Sequence, residues 1–192
     1  SIGATEKKCT IYNANTTCNI TMPSITRSSY SIIGWSTNKN ATTKTYGAYD
    51  TIAVSSNNTY YAITKKELTV TLNKNGATSI GSTKETCNIY NQTQSCSVSL
   101  PAITRSGYNI NGWSTNKDDT LANYKVYSKL ELTSSVTLYA ITNKEVTLTF
   151  RENGASSIGA TEKKCTIYNT NTTCNITMPS ITRSGYSIIG WS

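Results

Sequence analysis

The stretch Cys87–Trp113, CNIYNQTQSCSVSLPAITRSGYNINGW, decides the fold. It holds a short cysteine-bracketed loop, one Pro and a Gly-Tyr…Gly-Trp block. The pattern recurs at Cys9–Trp35 and at Cys165–Trp191, displaced by 78 residues each time. A fixed period of this size marks a tandem array of modules. The 192 residues therefore divide into a partial unit 1–64, a complete unit 65–142 and a partial unit 143–192. The first lacks an opening strand and the third a closing one. A unit of 78 residues has a small core and gains from a covalent staple. The composition is rich in Thr, Ser, Asn and Tyr, with 15% charged residues and one Phe, which favours strands and turns. The expected fold is mainly β: small repeat modules in an elongated array.

The cysteines supply the staple. They fall into the pairs Cys9/Cys18, Cys87/Cys96 and Cys165/Cys174, with none left over. Even pairing in small repeated modules reads as disulfides in an oxidising, extracellular setting. Structural zinc takes four Cys or His ligands. Each unit offers two thiols, and the chain has no His. CTIYNANTTC reads as two short arms with Cys9 opposite Cys18 and a turn at Asn13-Ala14, matched by Asn91-Gln92 and Asn169-Thr170. Asn tolerates the positive φ of a tight turn. Closing such a loop of ten residues stabilises a module by about 2.5–3 kcal/mol in the chain-entropy model.

Beyond the loop, apolar residues alternate. Cys96, Val98 and Leu100 share one side, and Pro101 ends the strand, as do Pro23 and Pro179 in their units. A further strand runs from Tyr108 to Trp113, with Tyr30 and Trp35, and Tyr186 and Trp191, as its counterparts. These prolines, tyrosines and tryptophans are expected to form the repeating structural core. Ser29 stands where the other units have Gly107 and Gly185, so a positive φ there implies slight strain in unit 1. The segment after the Trp is polar and suits loops or a short helix. The opening runs Leu68–Leu72 and Val146–Phe150 alternate with Thr, as half-buried strands do. The closing run Val136–Thr142 flows through Asn143-Lys144-Glu145 into the next opening strand, without Pro or Gly.

Residues 1–36 and 157–192 differ only at Ala14/Thr170 and Ser29/Gly185, while unit 2 diverges from both. Duplication by pairs accounts for this, and the parent protein is expected to contain further units.

The order of these motifs resembles the Listeria–Bacteroides repeat family, the B-repeat module of internalins and of many Gram-positive surface proteins. Leu68–Ala77 (LTVTLNKNGA), Leu100–Asn116 (LPAITRSGYNINGWSTN) and Val136–Thr142 (VTLYAIT) carry the resemblance. It implies a β-grasp-like unit: a small mixed sheet packed on a short helix or loop. It also implies a role as stalk or adhesin spacer. The cysteine-bracketed loop elaborates the family pattern, and Ile63 and Ile141 stand at the place of its final Trp.

Other chemistries find little support. Without His, a Ser-His-Asp or Cys-His site cannot be assembled. No enzyme activity, cofactor or metal is expected. Asp118-Asp119 falls short of the six or more oxygens that Ca²⁺ takes, and unit 1 has Asn40-Ala41 there. The net charge of +8 is spread along the chain and lacks the concentrated face that nucleic acid requires. No hydrophobic run of membrane length is present. The Asn/Thr-rich chain carries sequons, among them Asn15, Asn19 and Asn91. The leading expectation is a secreted or cell-surface stalk or filament. Its first partners are neighbouring repeats, with self-assembly into fibres a further expectation. The alternative is an adhesin that takes a surface glycan or protein.

Overall fold

A computed structural model describes residues 1–192, and every regular element in it is a strand. Repeat 1 contributes β1 (Cys18–Thr21), β2 (Ser31–Ser36) and β3 (Thr51–Val54). β4 (Tyr61–Asn73) carries the closing run of repeat 1 straight into the opening run of repeat 2. Repeat 2 continues with β5 (Ser79–Ile80), β6 (Lys84–Tyr90), β7 (Cys96–Ser99), β8 (Ile103–Thr104), β9 (Asn109–Ser114) and β10 (Lys129–Leu132). β11 (Val136–Thr149) crosses into repeat 3 in the same way, followed by β12 (Ser157–Ile158), β13 (Glu162–Tyr168) and β14 (Ile181–Thr182). The unbroken strands β4 and β11 follow from sequence: alternating Thr, Val and Leu suit a pleated surface, and no Pro or Gly interrupts them. The polar segments after Trp35 and Trp113 hold no helix: each is loop and turn as far as a short strand, β3 and β10 respectively.

The chain forms two compact units. The first comprises Ser1–Thr69, Thr86–Val98 and Leu130–Ser135. In it β1 opposes β3 antiparallel, from Cys18 opposite Val54 to Thr21 opposite Thr51. β2 opposes the first half of β4, from Ser31 opposite Lys65 to Ser36 opposite Tyr61, with a bulge between Ile32 and Gly34. Met22, Ile25, Trp35 and Ile52 form a core flanked by Ile20, Tyr46, Val54, Tyr60 and Ala62.

The second unit comprises Val70–Glu85, Ser99–Lys129 and Val136–Ser192. β11 is its spine. It opposes β9 antiparallel with a bulge between Ile141 and Thr142, and it opposes β13 from Asn143–Tyr168 to Thr149–Glu162. Its first residues run parallel to the end of β4, Val136 beside Val70 and Tyr139 beside Asn73. The sheet is thus mixed, as the resemblance implied. Val70, Leu72, Leu100, Ile103, Trp113, Leu138, Ala140 and Ile141 are buried in this unit. On the exposed face of β13, Lys164 reaches Glu145 at 2.9 Å and Glu162 at 3.5 Å. The hydrogen bond to Glu145, then the attraction of both carboxylates, holds its ammonium pKa above the usual lysine value.

One local expectation fails. The arms of the cysteine loop do not pair with each other: β6 lies along β4, whereas β7 lies along β10. Each arm finds its backbone partners in a different sheet, so the disulfide ties two sheets together. Only the turn bonds back on itself, Thr93 N–H to Tyr90 O at 2.8 Å.

The Gly-Trp pair has a steric cause. Trp113 N–H donates to Tyr124 O at 2.7 Å, and Tyr124 N–H returns to Trp113 O at 2.9 Å. A Cβ on Gly112, whose φ is 129°, would stand 2.2 Å from Tyr124 O. Only glycine lets the loop strand approach so closely. Gly34 meets Tyr46 O in the same manner at 2.3 Å.

Candidate functional site

The most developed polar site is a joint between consecutive repeats, and it occurs twice. Its central residue is the first residue of the cysteine-loop turn. Asn13, Asn91 and Asn169 have φ of 55°, 52° and 50°, a conformation that Asn accepts through local hydrogen bonding. The disulfides Cys9–Cys18, Cys87–Cys96 and Cys165–Cys174 close the loop behind each turn, with Cα atoms 5.9–6.0 Å apart.

Asn169 belongs to repeat 3 and inserts into repeat 2. Its N–H donates to Thr142 O at 2.9 Å, and its side-chain Oδ1 accepts from Thr142 N–H at 3.1 Å. Its Nδ2 donates to Lys117 O at 3.1 Å and to Asp119 O at 2.9 Å. Its own carbonyl accepts from the Arg105 guanidinium, which also donates to Thr142 Oγ1 at 2.8 Å. Asn169 is only 5% exposed, yet these bonds occupy every polar group it has. The Tyr108 ring lies beneath the guanidinium, whose carbon is 3.5 Å from the ring centroid, and holds it in a cation–π contact.

The joint between repeats 1 and 2 reproduces this bond for bond. Asn91 N–H donates to Thr64 O at 2.9 Å, and Asn91 Oδ1 accepts from Thr64 N–H at 3.0 Å. Asn91 Nδ2 reaches Lys39 O at 3.1 Å and Ala41 O at 2.9 Å. Arg27 bonds Asn91 O and Thr64 Oγ1 while stacking on Tyr30 at 3.5 Å. A groove of about 840 Å³ lies beside this joint, lined by Ser1, Lys39, Tyr61, Thr64 and Asn91 among others. At the corresponding place in repeat 2, Asn75 of the Asn-Gly turn donates to Lys117 O at 2.7 Å and to Ala140 O at 3.0 Å.

The residues singled out from sequence have distinct places. Trp35 and Trp113 are buried, and all three indoles donate to the preceding proline's carbonyl: Trp35 to Pro23 at 2.9 Å, Trp113 to Pro101 at 3.1 Å, Trp191 to Pro179 at 3.0 Å. Trp191 is half-buried and packs on Phe150. The prolines are half-buried. Tyr30 and Tyr108 are half-buried as platforms for the joint arginines, whereas Tyr186, under Arg183, is 63% exposed. Asn91, a sequon residue, has its side-chain amide fully engaged in the joint. The Asp119 carboxylate is taken up within its own loop, accepting from Ser114 Oγ and Asn116 Nδ2.

Sequence reasoning gave no role to Arg27, Arg105, Thr64 or Thr142, and none beyond the turn itself to its Asn. A signal existed. The first turn residue is Asn in all three units while the second is Ala14, Gln92 or Thr170. A turn alone would not impose that contrast.

Fold and site define a tandem array of disulfide-stapled β repeats, in which the turns of repeats 2 and 3 each bond into the repeat before. The chain belongs to the Listeria-Bacteroides repeat domain family, whose model matches residues 2–63, 69–141 and 147–192. No curated protein and no solved structure matches it. The three disulfides and a repeat family of this kind fit an extracellular location. No helix is long and apolar enough to cross a membrane.

Proposed function

We propose that the chain is a non-enzymatic structural segment: a stalk or filament on a bacterial surface, built of β-grasp-like modules of 78 residues. One observation carries the reading. The same set of bonds recurs at both joints, and strands β4 and β11 pass from repeat to repeat without a linker. Such an arrangement suits nearest-neighbour stacking, in which each added repeat extends the array. The test is to express versions with increasing repeat number and image them. The particle should lengthen by a constant increment per repeat, and antibody against the repeats should label intact cells. Particles that stay compact as repeats are added, or labelling only after lysis, overturn the reading.

A second reading rests on Tyr49 and Tyr127. They occupy equivalent positions, at 71% and 73% exposure, with φ of 68° and 63°. A bulky residue held at positive φ and turned to solvent is unusual, and an exposed ring once per repeat suits stacking on a sugar or a partner's surface. Glycan-array binding by the native chain that disappears in Tyr49→Ala/Tyr127→Ala would favour this adhesin role over a purely structural one.

A further inference from the structure

We propose that the turn of the cysteine loop is a plug read by the preceding repeat through its Asn, and that each of the two repeat types accepts the other's turn in this way. The socket consists of an Arg on its Tyr platform, one Thr of the closing strand and two carbonyls of the loop after the Trp. It reads the first turn residue and ignores the second. The repeat 1 socket accepts the Asn91-Gln92 turn, while the repeat 2 socket accepts the Asn169-Thr170 turn. Where they overlap, repeats 1 and 3 are nearly the same sequence and repeat 2 is not, so each type is seen receiving the other's turn. Every polar atom of the plug is matched, and Gln92 and Thr170 contribute none of the bonds that define the joint.

The chemistry explains the choice of Asn. The plug must offer one acceptor to a strand N–H and two donors to loop carbonyls, from a backbone with positive φ. Asp lacks the donors and sets a carboxylate against two carbonyl oxygens. Gly suits the φ but leaves the Thr N–H and two carbonyls without partners, and buried unpaired groups are costly. The loop disulfide therefore serves the repeat before it as well as its own. The proposal rests on the stalk reading only in taking repeats to adjoin others of their kind.

The chain contains its own control. Asn13 has the same turn, φ and disulfide, but its side chain is exposed and enters no socket of this chain. The test compares Asn13→Gly, Asn91→Gly and Asn169→Gly in the full oxidised chain, by amide hydrogen exchange at Thr64 and Thr142 and by urea unfolding. Asn91→Gly should speed exchange at Thr64, and Asn169→Gly at Thr142, by about tenfold or more, the loss expected of a hydrogen bond to a buried group. Asn13→Gly should leave both amides unchanged and stability equal or slightly raised. Should a Gly variant fail to fold, the corresponding Asp variant, which keeps the acceptor but loses both donors, should lower stability in urea at positions 91 and 169 and leave it unchanged at 13. Equal loss at all three positions would mean that Asn serves only its own turn. Unchanged protection at Thr142 in Asn169→Gly would mean that the side chain does not couple the repeats. Either result overturns the plug. Neither bears on where the protein resides or whether it lengthens with repeat number, so the stalk reading fails or survives separately.

Discussion

Residues 1–36 and 157–192 are one peptide but for two positions, yet they fold in complementary halves. Glu162–Tyr168 is a strand along β11, and Ile167 there is 8% exposed. The same residues in repeat 1, Glu6–Tyr12, form no strand, and Ile11 is 40% exposed. The order reverses past the second cysteine. Cys18–Thr21 pairs with β3 and Met22 is 3% exposed, whereas the matching stretch of repeat 3 forms no strand and Met178 is 48% exposed. Propensity is equal in the two copies, so the adjacent strand decides which half becomes ordered. A repeat is thus not a sealed bead. It is completed by elements on both sides, and the compact units do not coincide with the sequence period.

The contrast can be broken by mutating matched positions. The largest effect is expected at the tryptophans. Trp35→Ala should cost about 3–5 kcal/mol, as a buried aromatic does, and Trp191→Ala less than half of that. Equal losses in urea unfolding would show that the two copies are equally folded in solution. Next come the disulfides. Replacing either Cys9/Cys18 or Cys165/Cys174 by Ser removes a loop worth about 2.5–3 kcal/mol. Only the second replacement should also speed hydrogen exchange at Thr142, because only that loop presents a plug to a socket here. Exchange that rises equally in both variants would dissolve the distinction. The smallest effect sharpens a single backbone difference. Ser29 has φ of 62°, where Gly107 and Gly185 have 73° and 77°. Nothing crowds a side chain at those two glycines, so only the φ is at issue. Ser29→Gly should stabilise the first unit by about 0.5–1 kcal/mol, and Gly185→Ser should act in the opposite sense. A change of Tm in the wrong direction would remove strain as the cause.

Much of this was legible in the sequence for a physical reason. Alternation marks strands, Asn marks a turn, and cysteines nine apart at the base of that turn mark a bridge, so local rules reach Leu68–Leu72, Asn91 and Cys87–Cys96. The continuity of β11 through Asn143-Lys144-Glu145 was readable because no breaker lies there. The separation of the cysteine-loop arms was not, because β6 and β7 choose partners distant in the chain. Nor was the joint, in which Arg105 meets a carbonyl 64 residues away. Such a pairing is set by tertiary position, and the sequence signals it only through the Asn and Arg that repeat at a fixed interval.

The parallel pairing within repeat 2 has a mechanical consequence. Val70–Asn73 and Val136–Tyr139 lie side by side and point the same way. Tension drawn along the chain would pull β4 backwards and β11 forwards, sliding one past the other. Their ladder would then bear the load in shear, all rungs at once, instead of unzipping rung by rung. Cys87–Cys96 brackets a loop between these two strands, so chain stored behind that bridge would stay locked even after the ladder gave way.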